Sequence, residues 1–294
     1  MKQSFKKTLF AGALSLALIG LGTIPGNAQD ITIAIPDTLK GWANEWVGSL
    51  NGSQAAYSNW SQGGVNTISG TASTLYQAKF KKDKFGYGFG LNLKYGKSKI
   101  NADEVRKTDD LILVKNKFTY NFDHSAWSGI GSLTFNTQFD KGYDYEVDPA
   151  VLQSQFMAPG YFKELLGVSY QPVDYFSAEG GLGMKQTIVS ETDLSTLYGL
   201  EEGENFRFEA GVSLNTGIEL EVLPNFIYTG NAELFYNPEN DMSYTDVVFS
   251  NELVGKINNL INTSLQFVLQ YDKDYSTEVQ IKQVLSLGVS FRLI

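Results

Sequence analysis

The chain contains no cysteine, a single histidine and only seven prolines in 294 residues. Without cysteine there are no disulfides, no thiolate metal ligands and no lipid attachment through a thioether. With one histidine there is little for catalysis that sets an imidazole beside a nucleophile or a carboxylate. That residue, His124, stands between Asp123 and Ser125 in a short polar stretch. Neighbours along a chain do not form a triad, so the group reads as a solvated turn and the chain as non-enzymatic. Acids outnumber bases by 32 to 23, giving a formal charge of −9. An acidic chain lacks the basic face that a nucleic-acid partner needs. Beyond the first 28 residues no run approaches eighteen apolar residues, so no helix is expected to cross a membrane. No cofactor motif is present. Asp272 and Asp274 open a calcium-like loop that lacks its sixth-position glycine, and both read as loop solvation.

The N-terminus carries a leader. Lys2, Lys6 and Lys7 form a basic region, Leu9 to Leu21 is apolar, and Gly26, Asn27 and Ala28 offer small residues for cleavage before Gln29. The expected organisation is a signal peptide over 1–28, a periplasmic lead-in over 29–45 and a barrel over 46–294.

What is abundant is alternation. From Phe85 to Tyr95, Phe85, Tyr87, Phe89, Leu91, Leu93 and Tyr95 share one face, while Gly86, Gly88, Gly90, Asn92 and Lys94 share the other. Helical spacing would scatter those aromatics around an axis. The last strand repeats the scheme: Leu285, Leu287, Val289, Phe291 and Leu293 oppose Ser286, Gly288, Ser290 and Arg292. About twelve such strands are expected, near 46–58, 66–80, 85–98, 107–122, 127–141, 160–170, 176–189, 205–222, 226–237, 245–257, 261–272 and 279–293. Alternation is weakest in 46–58 and 160–170, where Gln54 and Glu164 interrupt it. Short connections at 81–84, 123–126, 171–175, 223–225 and 258–260 alternate with long ones, notably 142–159 and 190–204. Short turns on one side and long loops on the other mark a transmembrane antiparallel up-and-down β-barrel, with the short set and both termini expected in the periplasm. Aromatic residues, 13% of the chain, gather at the strand ends: Trp46, Phe80, Phe85, Tyr120, Trp127 and Tyr170 at one end, Tyr57, Trp60, Tyr95, Phe139, Tyr236 and Tyr271 at the other. Two such girdles bracket a lipid-facing band.

The inward face then carries the charges. Lys94, Lys115, Lys117, Glu179, Lys185, Arg207, Glu209, Glu219, Glu233, Glu252 and Arg292 are expected to line the lumen. Early strands supply mostly lysine and later ones mostly glutamate, so opposite signs face one another across a closed barrel. Such groups form either a narrow wet pore with a transverse field or a paired network that plugs it. The expected functions are therefore a passive channel for small polar solutes, or a non-conducting outer-membrane scaffold or surface receptor. The expected partners are outer-membrane lipid and lipopolysaccharide, and the assembly machinery through the C-terminal strand.

Gln54-Ala-Ala-Tyr-Ser-Asn-Trp-Ser-Gln-Gly-Gly-Val-Asn66 resembles the signature of a bacterial family called domain of unknown function 3078. The segments Arg106 to Asp110 and Phe156 to Tyr161 are similar to that family as well, so the resemblance runs over nearly the whole mature chain. It implies an outer-membrane barrel of Gram-negative cells and implies no activity. Asn59, Trp60, Gly63 and Gly64, its most specific part, read physically as a tight turn in which paired glycines permit positive φ. A sugar site built from Trp60 and its amide neighbours is the alternative.

Overall fold

The computed structural model describes residues 31–56, 66–101, 104–123, 126–145 and 147–294. His124 and the signature residues Asn59, Trp60, Gly63 and Gly64 lie outside the described residues, as do Tyr57 and the segment 1–28 expected to be a leader. Fourteen strands follow in chain order: β1 (Gly41–Ala55), β2 (Thr67–Lys82), β3 (Phe85–Ile100), β4 (Arg106–Asn121), β5 (Trp127–Thr137), β6 (Gly142–Asp144), β7 (Val151–Ser154), β8 (Gly160–Val173), β9 (Phe176–Ile188), β10 (Phe206–Leu223), β11 (Phe226–Tyr236), β12 (Asp246–Lys256), β13 (Ile261–Tyr271) and β14 (Gln280–Arg292). All but β6 and β7 form one closed antiparallel barrel in which sequence neighbours pair and β14 returns to β1. The twelve barrel strands are the twelve that alternation marks. The hairpin β6–β7 stands apart within the long connection between β5 and β8.

The alternation sorts as a barrel in lipid demands. Leu50, Leu166, Leu182, Val212, Leu214 and Leu287 all point outward and are exposed, Leu182 at 69%. A water-soluble monomer rarely shows so continuous an apolar belt, whereas a bilayer requires one. Rings from adjacent strands pack at a tilt next to the short turns: Trp42 with Phe80 and Tyr87 with Phe118 at 5.0 Å, Trp127 with Tyr170 at 4.8 Å. At the long-loop end Phe135 meets Phe162 at 4.7 Å and Tyr95 meets Phe139 at 6.4 Å. The short turns are tight. Asp83 and Lys84 alone join β2 to β3, with Asp83 at φ 53°, and Asn225 takes φ 68° between β10 and β11. Short polar side chains tolerate this left-handed region better than most.

The interruption at Glu164 has a local remedy. Its side chain points outward, as does that of Gln186 on β9, and the Gln186 Nε2 donates to both carboxylate oxygens at 3.1 and 3.3 Å. Two polar groups misplaced toward lipid satisfy each other.

The lead-in departs from expectation. The first barrel strand begins at Gly41 rather than near 46, and the residues before it run along the inner wall of the barrel. Ile31, Ile33 and Ile35 are buried there against Leu111 and Leu113, with Leu39 and Leu75 packed alongside. The seat is a glycine stripe on β3. A Cβ at Gly88 would stand 2.3 Å from the Ile33 Cγ2, and one at Gly90 3.0 Å from two Ile31 carbons. Only glycine leaves room for the backbones to approach this closely.

Candidate lumen site

The lumen is built from the inward rows of β1–β5 and β8–β14, and most of it is occupied. Two kinds of structure fill it: the segment 31–37 and a set of ion pairs that span the barrel.

Segment 31–37 is held by side chains from distant strands. Lys117 Nζ on β4 donates to the Ile33 carbonyl at 3.0 Å, and Gln77 Nε2 on β2 to the Thr32 carbonyl at 3.3 Å. The Thr32 hydroxyl donates to Asn231 Oδ1 on β11, on the far wall. At the short-turn end Asp37 accepts from Lys81 and from Asn121 Nδ2. A backbone crossing the lumen without a ladder must have its carbonyls satisfied in this way.

Most of the ion pairs join strands three or four positions apart in barrel order, while Glu209 links Lys185 on the adjacent strand to Arg207 on its own. Lys117 on β4 pairs with Glu179 on β9, and Lys163 on β8 with Glu233 on β11. Lys282 on β14 reaches Asp109 on β4 at 3.1 Å. Lys185 sits among three carboxylates, Asp246 at 2.6 Å, Asp272 at 3.3 Å and Glu209 at 3.9 Å. Arg207 binds Glu209 at 3.1 Å, Asp274 at 2.7 Å and the Gly199 carbonyl at 2.8 Å. Lys117, Glu179, Lys185 and Glu209 are each less than 8% exposed. Charges buried to this degree survive only when paired. Two cavities of about 40 and 30 Å³ border Lys163, Lys185 and Glu233, which is room for a few waters and for no larger solute.

The long-loop mouth is bridged from above. Between β9 and β10 a 3₁₀ turn, Thr192–Tyr198, packs Leu194 and Tyr198 with Ala158, Val189 and Leu200. Gly199, at φ 73°, closes that turn. The Tyr198 ring stacks on Tyr275 at 5.7 Å, and its hydroxyl donates to the Gln153 carbonyl at 2.7 Å. Loops from opposite sides of the barrel are thereby tied together over the lumen.

The residues singled out from sequence are distributed as follows. Lys115, Lys117, Glu179, Lys185, Arg207, Glu209 and Glu233 lie in the filled sector, and the last six belong to its ion pairs. Lys94 faces the lumen from β3, in one row with Ser73 and Leu111. Glu252 faces it from β12 opposite Gln266. Glu219 and Arg292 sit apart near the short-turn end and are exposed, Arg292 beside Glu45 at 3.7 Å. Sequence reasoning missed Lys163, Asp246, Asp272 and Asp274. Lys163 lies in the strand that Glu164 obscures. Asp272 and Asp274 are loop residues that fold inward, where Lys185 and Arg207 bind them.

Asp272 lies just past β13, outside the spanning strands. Its burial opposes ionisation, and the Lys185 ammonium more than offsets that cost, so the carboxyl titrates below its ordinary value. A lowered folded value stabilises the fold above the unfolded value of about 3.9, and the contribution is lost as pH falls through the still lower folded value. Asp272→Asn is therefore expected to depress the thermal midpoint at neutral pH, with the gap to wild type closing below about pH 4. Melting curves from about pH 8 to pH 3 check it, and a gap that persists undiminished at the acid end contradicts the assignment.

Comparison with known proteins adds the following. A search of curated proteins finds no match. Among solved structures, the translocator domain of the autotransporter NalP from Neisseria meningitidis is 12% identical with a TM-score of 0.40, covering 88% of this chain and 91% of its own. An outer membrane channel from Pseudomonas putida F1 is 12% identical with a TM-score of 0.42, covering 90% and 99%. The KdgM porin is 9% identical with a TM-score of 0.33, covering 84% and 98%. Residues 53–143 match a family model described as protein of unknown function (DUF3078). The match takes in the Asn59–Gly64 signature and Arg106 to Asp110, whereas Phe156 to Tyr161 lies beyond it, so the resemblance is narrower than the mature chain. Residues 53–143 match the model of this family of unknown function, and the chain that contains them forms a closed twelve-stranded barrel of the membrane-spanning kind.

Proposed function

We propose that the protein is an outer-membrane barrel, its termini periplasmic, that passes small polar solutes through a constricted lumen. The observation that supports this best is a polar inner wall that is filled on one side and partly exposed on the other, inside an apolar belt. An even strand number, a leader and a last strand fit for recognition by the assembly machinery agree with that location. Lipid and lipopolysaccharide are the surroundings such a belt fits.

A second reading has its own support. The ion pairs that bridge strands across the lumen, and the loops tied over the mouth, suit a non-conducting scaffold whose long loops meet a surface partner. Purified protein in a planar bilayer separates the two. The channel reading expects small stepwise conductance from wild type, and larger steps from a variant lacking residues 31–37, since the segment's own volume is freed. A barrel that inserts and stays silent in both forms leaves only the scaffold.

A further inference from the structure

The filling of the lumen is lopsided. Lumen-facing Leu113, Lys117, Ile130, Leu165, Ser177 and Lys185, on β4, β5, β8 and β9, are each at most 5% exposed. On β14 the lumen-facing Val284 is 37% exposed and the Lys282 side chain 27%; in the filled sector the Lys163 side chain, at 34%, is the exception. Their neighbours on this side, Ser49, Ser73, Ser286 and Ser290, are all partly exposed. The Ser49 and Ser290 hydroxyls meet at 2.8 Å. Segment 31–37 lies against β3 and against Leu75, Gln77 and Lys81 of β2, and the Gln77–Thr32–Asn231 chain and the Lys282–Asp109 pair each cross the lumen.

The seam between the first and last strands gives an independent observation. The β1–β14 ladder covers six pairs, Val47–Gly52 with Leu287–Arg292. Gln283–Ser286, opposite the described residues Ser53–Ala56 in the continued register, have no ladder partner there, although they are fully paired with β13 on the other side. At bilayer depth a backbone donor or acceptor without a protein partner needs water, because lipid supplies neither. Side-chain exposure and unpaired backbone thus fall in the same sector of the wall.

We propose that the route through the barrel runs off-centre, along the wall made by β14 and β1 with Ser73 of β2 at its edge, and that it takes small uncharged solutes bearing hydroxyl or amide groups. Serine hydroxyls donate and accept, so they replace a neutral solute's hydration without favouring either sign of charge. Two ion pairs flank the route, Lys282 with Asp109 and Arg292 with Glu45, and each is neutral overall. The inference rests on the channel reading and says which sector of the lumen carries it.

The absence of cysteine makes the test clean. Ser49→Cys, Ser73→Cys and Ser286→Cys place thiols on the proposed route, and Ser177→Cys and Ser250→Cys place them on buried lumen-facing positions elsewhere. Each variant is first checked for heat-modifiable migration, which shows a folded barrel. It is then exposed in a planar bilayer to a cationic, membrane-impermeant methanethiosulfonate reagent. The expected result is complete modification and a loss of current at the three route positions, with the two buried thiols unmodified over the same exposure. Wild type that passes no current sinks the channel reading itself. Wild type that conducts while the route thiols stay unreactive, or react without changing the current, sinks the route and leaves the channel standing.

Discussion

A Lys117→Met barrel is expected to lose about 3–5 kcal/mol of stability, the cost of leaving a buried charge without its partner. Lys117 is 2% exposed and its ammonium serves two acceptors, the Glu179 carboxylate and the Ile33 carbonyl. Removing it strands an ionised carboxylate in the filled sector and frees one hold on segment 31–37. Urea titration of barrels refolded into lipid vesicles measures the loss. The double variant Lys117→Met, Glu179→Met should recover most of it, since replacing both members of a buried pair by apolar groups is often neutral. A double variant as weak as the single one would show that the pair is not the cause.

The second large effect concerns the outer face. Leu182→Arg and Leu214→Arg should each cost roughly 2–4 kcal/mol if the sites lie near the bilayer midplane. Both leucines point outward and are exposed, on β9 and β10. Asn92→Arg, on the lumen face of β3, should cost much less. The same titration reads all three. Equal costs would mean the register is wrong by one residue, because such a slip exchanges the two faces of every strand.

The strands were legible because their period is two and their environments are opposite. Lipid on one side and a polar lumen on the other leave a strong imprint at Phe85–Tyr95 and Leu285–Leu293. Strand ends were legible where a turn demanded a special conformation, as at Asp83. They were not where side chains compete with the ladder. β5 stops at Thr137 rather than near 141 because the Asp110 carboxylate takes the Phe139 and Asp140 amides at 2.7 and 2.9 Å. The lumen was legible as a set of inward charges, and their burial was not, since it depends on which residues meet across the barrel. Leu111 and Leu113 show the difference. They sit on the inner face of β4, where alternation asks for polar groups, and they make sense only once Ile31, Ile33 and Ile35 are seen against them. Three isoleucines at alternate positions before the first strand are too few to announce that they fold back inside the barrel. The glycines that receive them, Gly86, Gly88 and Gly90, were placed on the right face with no sign of an occupant.

That fold-back is the central claim, and a single cross-link tests it. In the cysteine-free chain the pair Ile33→Cys, Gly88→Cys sets two Cβ atoms about 3.6 Å apart, within the range a disulfide spans. Mild oxidation of the folded barrel, proteolysis and mass spectrometry then look for a peptide containing residue 33 joined to one containing residue 88. The structure predicts the linked peptide as the main product, lost on reduction. Two free thiols, with the one at position 33 open to an impermeant reagent in the folded barrel, would contradict a lumen occupied by residues 31–37.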